Sequence, residues 1–280
     1  MVYVRVFLTF LSNSLIRDLS FRSNFWIESI ASMSWVLMNL GFYVLIFEYT
    51  SEIGSQTGWG KYEFFVFLAT TMLINSTVQM FFMPNAEEFS EMIRTGSLDF
   101  ALLKPIDTQF LISLRRTSWT SLSNVLLGLL LLTFSLWKLT TRADNPFQFR
   151  WEMAILYVLY LGCGVAILYS LMIALAATSI WMGRNQSLYD FWFYITNFSR
   201  YPMEIYDGRF GLPLRWFFTF IVPVLIVANV PARVMLYPLI LRGWGTLLLA
   251  LFALAATVGC LLASRWVFQM ALRNYRSASS

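Results

Sequence analysis

The chain has 280 residues, of which 58% are apolar and only 12% charged, with 20 Lys and Arg against 15 Asp and Glu. A soluble domain carries about 25% charged residues, so a chain this apolar reads as an integral membrane protein. It has no histidine, which excludes Ser-His-Asp and Cys-His catalysis, haem-His ligation and His-metal sites, and Cys163 and Cys260, both in apolar runs, read as small core residues.

Residues 1–22 are expected to form an amphipathic helix at the membrane surface. Val4, Phe7, Leu8, Leu11, Leu15 and Leu19 recur at helical spacing, with Arg5, Thr9, Ser12 and Arg17 largely on the other side. Ser12, Asn13, Arg17 and Asp18 interrupt the apolar run, and no A-x-A site comes after it, so it does not read as a signal peptide. Spans are predicted over Phe25–Phe47, Phe64–Met83 (stopped by Pro84), Thr117–Trp137, Met153–Trp181 and Trp244–Phe268. Trp137, Trp151, Trp181 and Trp244 stand at span ends, as interfacial tryptophans do.

Leu188–Ser199 covers about 18 Å as a helix, too short to cross. It crosses only if the helix runs through Arg200-Tyr201-Pro202 to Tyr206. Leu212–Val230 is apolar but holds Pro213 and Pro223 and ends at Pro231. It reads either as a seventh span or as a broken pair that enters one leaflet and returns. Charge decides between them. Arg5, Arg17 and Arg22 precede the first span, and Arg265, Arg273 and Arg276 end the last, so both termini are expected in the cytoplasm. The expected architecture is therefore all-α: an interfacial helix over 1–22, then a domain over 23–280 with six transmembrane helices and an outer re-entrant hairpin over 212–231. Arg200, Arg209 and Arg215 then fall on the outer side, against the bias.

The polar segment from Pro84 to Asp107 stands on the inner side. Asn85 is expected to cap a short helix, with Glu88 completing a capping box. Gly96 supplies a left-handed stop, Ser97 caps a second short helix that Pro105 ends, and Asp107 caps the third span. The pair is either a connector lying on lipid or a docking element for a soluble partner. Glu87, Glu88 and Glu91 favour docking, because lipid-surface helices are usually basic. Lys61, Lys104 and Lys138 are the only lysines and none lies in a G-x-x-x-x-G-K-[ST] sequence, so the chain has no P-loop. The arginines sit between apolar runs rather than in a basic stripe, which argues against nucleic-acid binding.

The chain resembles the ABC-2 type permeases, the membrane subunits of a class of ATP-driven exporters. The segments carrying the resemblance are Ile93-Arg94-Thr95-Gly96-Ser97-Leu98-Asp99, Leu103-Lys104-Pro105, Tyr201-Pro202-Met203-Glu204-Ile205-Tyr206, Leu214-Arg215-Trp216, Thr219-Phe220-Ile221-Val222-Pro223 and Asn229-Val230-Pro231-Ala232, in that order. The resemblance implies an elbow helix, six spans, a coupling helix region over 85–105 and a re-entrant hairpin, in a bacterial cytoplasmic (inner) membrane. It implies two partners: a second permease subunit, identical or related, and separate cytoplasmic ATPase subunits, which would bind the ATP and magnesium that this chain does not. A non-transport membrane scaffold or an ion-conducting protein is the alternative, and a membrane-embedded enzyme is disfavoured by the missing histidines.

Glu87, Glu88, Glu91, Arg94, Gly96, Asp99 and Lys104 are the candidate ATPase-coupling residues. Asn39, Asn75, Gln79 and Asn197, with Asn124, are the polar groups inside spans. Such groups face a cavity or bond between helices, and they are the candidate substrate path. Arg200, Pro202, Glu204 and Pro223 are candidates for the outer gate and re-entrant region. Arg200 and Glu204, four apart, are expected to pair if a helix spans Pro202.

Overall fold

The computed structural model describes residues 2–53, 58–143, 146–182, 187–237 and 244–275. Among them the chain is almost wholly helical, and the one β feature is an isolated bridge between Glu52 and Gly60. Arg276, expected in a basic tail, lies outside the described residues.

The amphipathic helix α1 covers Val2–Ser20. It is clamped to protein as well as facing outward. The Thr117 amide donates to Ser14 Oγ at 3.1 Å, the Trp119 amide to Asp18 Oδ2 at 3.0 Å, and Trp119 Nε1 to the Leu11 carbonyl at 3.3 Å. Helix α2, Arg22–Tyr49, is the first candidate span and is mostly exposed on the bundle surface.

Helix α3, Lys61–Phe81, does not stop at Pro84. Helix α4, Met83–Arg94, begins at once, with Pro84 in its first turn. A missing N–H there removes no helical bond, so α3 and α4 form one 34-residue unit. At 1.5 Å per residue it is about 51 Å long against a hydrocarbon core of about 30 Å. Its α4 end therefore projects into water. Helix α5, Ser97–Leu102, comes after Gly96, whose φ of 70° makes the left-handed turn. Gly96 is the N-cap, and no Ser97 side-chain cap forms.

Asp107 caps α6, Thr108–Leu114, by accepting the Phe110 amide at 2.9 Å. The helix then breaks at 115–118, and a 3-10 turn at Trp119–Ser121 leads into α7, Leu122–Thr140. The third span thus starts later than Thr117, because the α1 clamps hold the break open. Helix α8, Trp151–Ala177, runs on into α9, Ser179–Met182. Trp137, Trp151, Trp181 and Trp244 are all exposed at helix ends.

The crossing expected over 188–206 is not one helix. Helix α10 covers only Ser187–Asn197, a 3-10 turn holds Phe198–Arg200, and a second holds Met203–Tyr206. Pro202 is the reason: it lacks a donor and forces Tyr201 to an extended φ of −123° and ψ of 147°.

Helix α11, Leu212–Trp216, passes into a π-turn at Phe217–Ile221, and α12, Leu225–Leu236, comes next. The two arms are bent by 87° at a break holding Pro223. They meet at a right angle, not as a tight hairpin. The first arm is peripheral, with Leu212, Trp216 and Ile221 exposed, whereas almost every residue of α12 is buried. Helix α13, Trp244–Arg273, is the fifth unit long and apolar enough to cross.

The centre of the bundle is α3, α8 and α12. Helix α7 packs on α3, α13 packs on α8, and α12 lies against both α3 and α8. Pro231, inside α12, frees the Val227 carbonyl four residues back. Gly164 of α8 sits against that carbonyl: a Cβ there would be 2.9 Å from Val227 O and 2.9 Å from Ile74 Cδ1. Glycine is thus what lets α8 and α12 approach. Cys163 beside it is buried and Cys260 is half-buried, both as free thiols.

Candidate functional site

Ser32, Trp35, Asn39 and Tyr43 of α2 recur at three- and four-residue spacing, as do Leu68, Thr71, Met72, Asn75, Ser76 and Gln79 of α3. Each set makes one helix face, and the two faces line a cavity of ≈ 420 Å³. Each stripe spans 11 residue steps, so the cavity runs about 16 Å along the helices. Asn124 of α7 closes one end, and Phe193, Arg200 and Tyr201 close the Tyr43 end.

Three of the four candidate path residues, Asn39, Asn75 and Gln79, come together here, with Asn124. Asn197, on the last turn of α10, is not in the lining. Asn39 bonds within its own helix, to the Trp35 carbonyl at 2.8 Å. Asn124 is 7% exposed; its Nδ2 donates to Ser32 Oγ at 2.6 Å, while its Oδ1 is buried with no partner. Arg200 carries its guanidinium over the Phe193 ring, 5.4 Å from the centroid.

Arg200 and Glu204 do not pair. The break at Pro202 separates them, and Glu204 instead pairs with Arg233 of α12 and accepts Trp59 Nε1 at 3.0 Å. Arg233 is thus 15% exposed, in an ion pair inside protein. Asn229 holds the same break: its Oδ1 accepts the Met203 amide at 3.0 Å and its Nδ2 donates to the Leu225 carbonyl at 2.7 Å. Arg215 pairs with Asp207, and Arg215 and Arg233 line one further cavity, of ≈ 500 Å³. The outer ends of the two bent arms therefore lie at the same end of the bundle. Pro223 is buried at their bend, and Pro202 is buried at the other break.

At the opposite end, Phe89 of α4 is fully buried and its ring lies 5.9 Å from that of Phe268. Asn85 is no cap. It lies inside α4, where its Nδ2 donates to the Phe81 carbonyl at 2.7 Å and to the Arg116 carbonyl at 2.6 Å, and its Oδ1 accepts the Arg116 amide at 2.7 Å. Glu88 forms no capping box, because α4 continues α3 and has no free N-terminus to cap. Its carboxylate pairs with Arg116 at 2.9 Å and lies 3.8 Å from Arg115, so those two arginines serve protein contacts. Glu91 pairs with Arg94. The three acidic residues are therefore not one free cluster: among the described residues only Glu87 of the three makes no ion pair. Asp99 lies beside Tyr275. The α4–α5 unit instead exposes Phe100 at 72% and Leu103 at 81%, next to Lys104.

Sequence reasoning missed a hub just behind this unit. Arg265 of α13 pairs with Asp107 and donates to Gln109 Oε1 at 2.9 Å; Gln109 Nε2 donates to the Tyr169 hydroxyl of α8 at 3.0 Å, and that hydroxyl lies 2.8 Å from Ser113 Oγ. The Asp107 amide donates to the Tyr3 hydroxyl of α1 at 3.4 Å. Asp107 thus ties α1, α6 and α13 at one point. The Arg265 guanidinium beside it, helped by the Phe110 amide, holds its carboxyl below the usual range against a smaller opposing effect of burial. The sequence signal was an arginine about two turns short of the end of a long helix, read as a topology marker alone.

A family model described as ABC-2 family transporter protein matches residues 33–279. No curated protein and no solved structure matches the chain.

Proposed function

The chain belongs to the ABC-2 transporter family as a membrane component, and from that premise we propose that it is the permease half of an exporter powered by separate ATPase subunits. It sits in the cytoplasmic (inner) membrane of a bacterium with both termini on the cytoplasmic side. Two permease subunits, identical or related, pair in the membrane, with one ATPase beneath each, and the ATPases hold the ATP and magnesium. The chain has no P-loop sequence of its own.

The observation that carries the reading is the projecting α4–Gly96–α5 unit in a chain matched to the family over most of its length. Exposed Phe100 and Leu103 offer an apolar anchor, and Glu87, Arg94 and Lys104 offer a charged rim, the usual anatomy of a docking surface. Asp99 and Gly96 shape the turn between the two helices. ATP-driven closure pushes this unit. The packed pair Phe89–Phe268 and the Asp107–Arg265 hub pass the displacement to α13 and α8. The spans then alternate between inward- and outward-open arrangements because ATP binds the closed ATPase pair more tightly. Asn39, Asn75 and Gln79 line the substrate path. Arg200, Pro202, Glu204 and Pro223, with Asn197 at the adjoining helix end, form the outer gate region.

Co-expression with ATPase subunits encoded beside the chain tests this. The wild-type chain should co-purify with an ATPase, and Phe100→Asp with Leu103→Asp should abolish that association while membrane insertion is kept. A chain that never captures an ATPase, or a double variant that captures it as well as wild type, would return the choice to a scaffold or an ion-conducting protein.

A further inference from the structure

The cavity between α2, α3 and α7 has an unusual balance of groups. Its lining holds one charged side chain, Arg200, and no carboxylate among the described residues. At the same end of the bundle, Arg142 pairs with Glu63, Arg215 with Asp207 and Arg233 with Glu204; Arg200 and Arg209 make no ion pair among the described residues, and of these two only Arg200 lines the cavity. The far end presents amides. Asn75 and Gln79 make no hydrogen bond among the described residues, and the Oδ1 of Asn124 is buried without a donor. That oxygen is fully buried and does not face the cavity, so the amides open to a ligand are those of Asn75 and Gln79. The walls between are Trp35, Leu68 and Met72.

We propose that this cavity binds an elongated, singly anionic amphiphile whose body carries an amide or hydroxyl donor, and that it discriminates against cationic amphiphiles. The anionic head pairs with Arg200 at the Tyr43 end. The guanidinium lies over the Phe193 ring, 5.4 Å from its centroid, and its N–H groups can make charge-assisted bonds to the head. The polar group of the body meets the side-chain amides of Asn75 and Gln79, which face the cavity. The apolar part lies along Trp35 and Met72. A cationic ligand would face a guanidinium with no carboxylate beside it in the lining, and like charges repel. The volume falls within the range of small-molecule sites. The proposal rests on the permease reading only for the statement that the bound amphiphile is cargo; binding is a property of this chain alone.

The test uses the purified full chain in nanodiscs of zwitterionic lipid, with empty discs as background. The probes are N-decanoylglycine and its neutral amide, which share the acyl chain and the amide N–H and differ in head charge, and decanoylcholine, a cationic ester read against neutral methyl decanoate so that the effect of charge is separated from loss of the donor. Saturable binding of N-decanoylglycine above background is expected, with affinity falling roughly tenfold for Arg200→Gln, largely kept for Arg200→Lys and reduced for Asn75→Leu. The neutral amide should bind wild type about as weakly as the acid binds Arg200→Gln, and decanoylcholine more weakly than methyl decanoate. Equal affinity of the acid for wild type and Arg200→Gln, binding of decanoylcholine equal to or tighter than that of methyl decanoate, or no saturable binding in wild-type discs overturns the proposal. The ligand series on wild type needs no variant to fold. ATPase capture is measured separately, so loss of the permease reading and loss of this one are told apart.

Discussion

Gly162 and Gly164 stand two residues apart in α8, yet alanine should act on them with opposite sign. A Cβ at Gly162 meets nothing within 4 Å, whereas one at Gly164 falls 2.9 Å from the Val227 carbonyl oxygen and 2.9 Å from Ile74 Cδ1. Alanine in a helix interior gains about 0.5–1 kcal/mol over glycine by restricting the unfolded chain. At position 162 that gain is uncompensated. At position 164 it is set against overpacking, typically about 1–3 kcal/mol, and the obstructing atom is backbone in a fully packed helix that cannot rotate aside. Gly162→Ala should therefore stabilise by up to about 1 kcal/mol, and Gly164→Ala should destabilise by about 1–2 kcal/mol. For a chain of this length the midpoints should differ by about 3–5 °C. Thermal unfolding in one detergent reads this, tracked by helical circular dichroism and by reaction of the buried Cys163 thiol with a fluorogenic maleimide. Coincident midpoints, or a lower midpoint for Gly162→Ala, would refute the claim that Gly164 exists to let α12 approach.

Asn229→Leu leaves the buried Met203 amide without its acceptor and should lower stability by about 1–3 kcal/mol; a loss below about 0.5 kcal/mol in the same unfolding assay would show that another group holds the Pro202 break. Asp107 has a carboxyl held below its ordinary value, so its contribution is present above about pH 4 and is lost as pH falls through the folded value. Asp107→Asn should flatten that acid limb, by under about 1 kcal/mol because both partners are partly exposed, and an unchanged pH profile would count against the ion pair. Glu88→Lys should weaken ATPase-coupled transport by placing a third cation beside Arg115 and Arg116, and adding Arg116→Glu should restore part of it; a double variant no better than the single one would mean that Glu88 acts elsewhere.

Much of the helical layout was legible because composition and periodicity report where apolar surface must go. The long apolar runs appear as helices within a few residues of their expected ends, and Gly96 adopts the left-handed turn its position required. Pro84 misled because a proline in the first turn of a continuing helix removes no bond, a distinction that needs the geometry of the residues after it. The Leu188–Tyr206 reading failed at Pro202, where the extended Tyr201 is stabilised by Asn229, 28 positions further on. Partner choice was the least legible property. Glu204 has Arg200 nearby in sequence but bonds Arg233 and Trp59, and Glu88 bonds Arg116, because tertiary packing rather than spacing sets those distances. The cavity was half visible: Asn39, Asn75 and Gln79 stood out as polar groups within spans, but nothing local tied Arg200 to them.

The position of α12 has a consequence for how the protein is made. Neither arm of the bent pair is long enough to partition into lipid on its own, yet α12 fills the centre between α3 and α8, which are synthesised long before it. Until residues 225–236 emerge, those two helices touch only in part, and the side of Gly164 that later meets the Val227 carbonyl is uncovered. Insertion of the early helices must therefore leave that side unclosed until α12 arrives, and α13, made last, also packs on α8. A ribosome stalled before residue 225 should leave a chain whose helices up to α8 are inserted but whose Cys163 is open to a thiol reagent, and assembly with any partner would be gated by that last, non-local step.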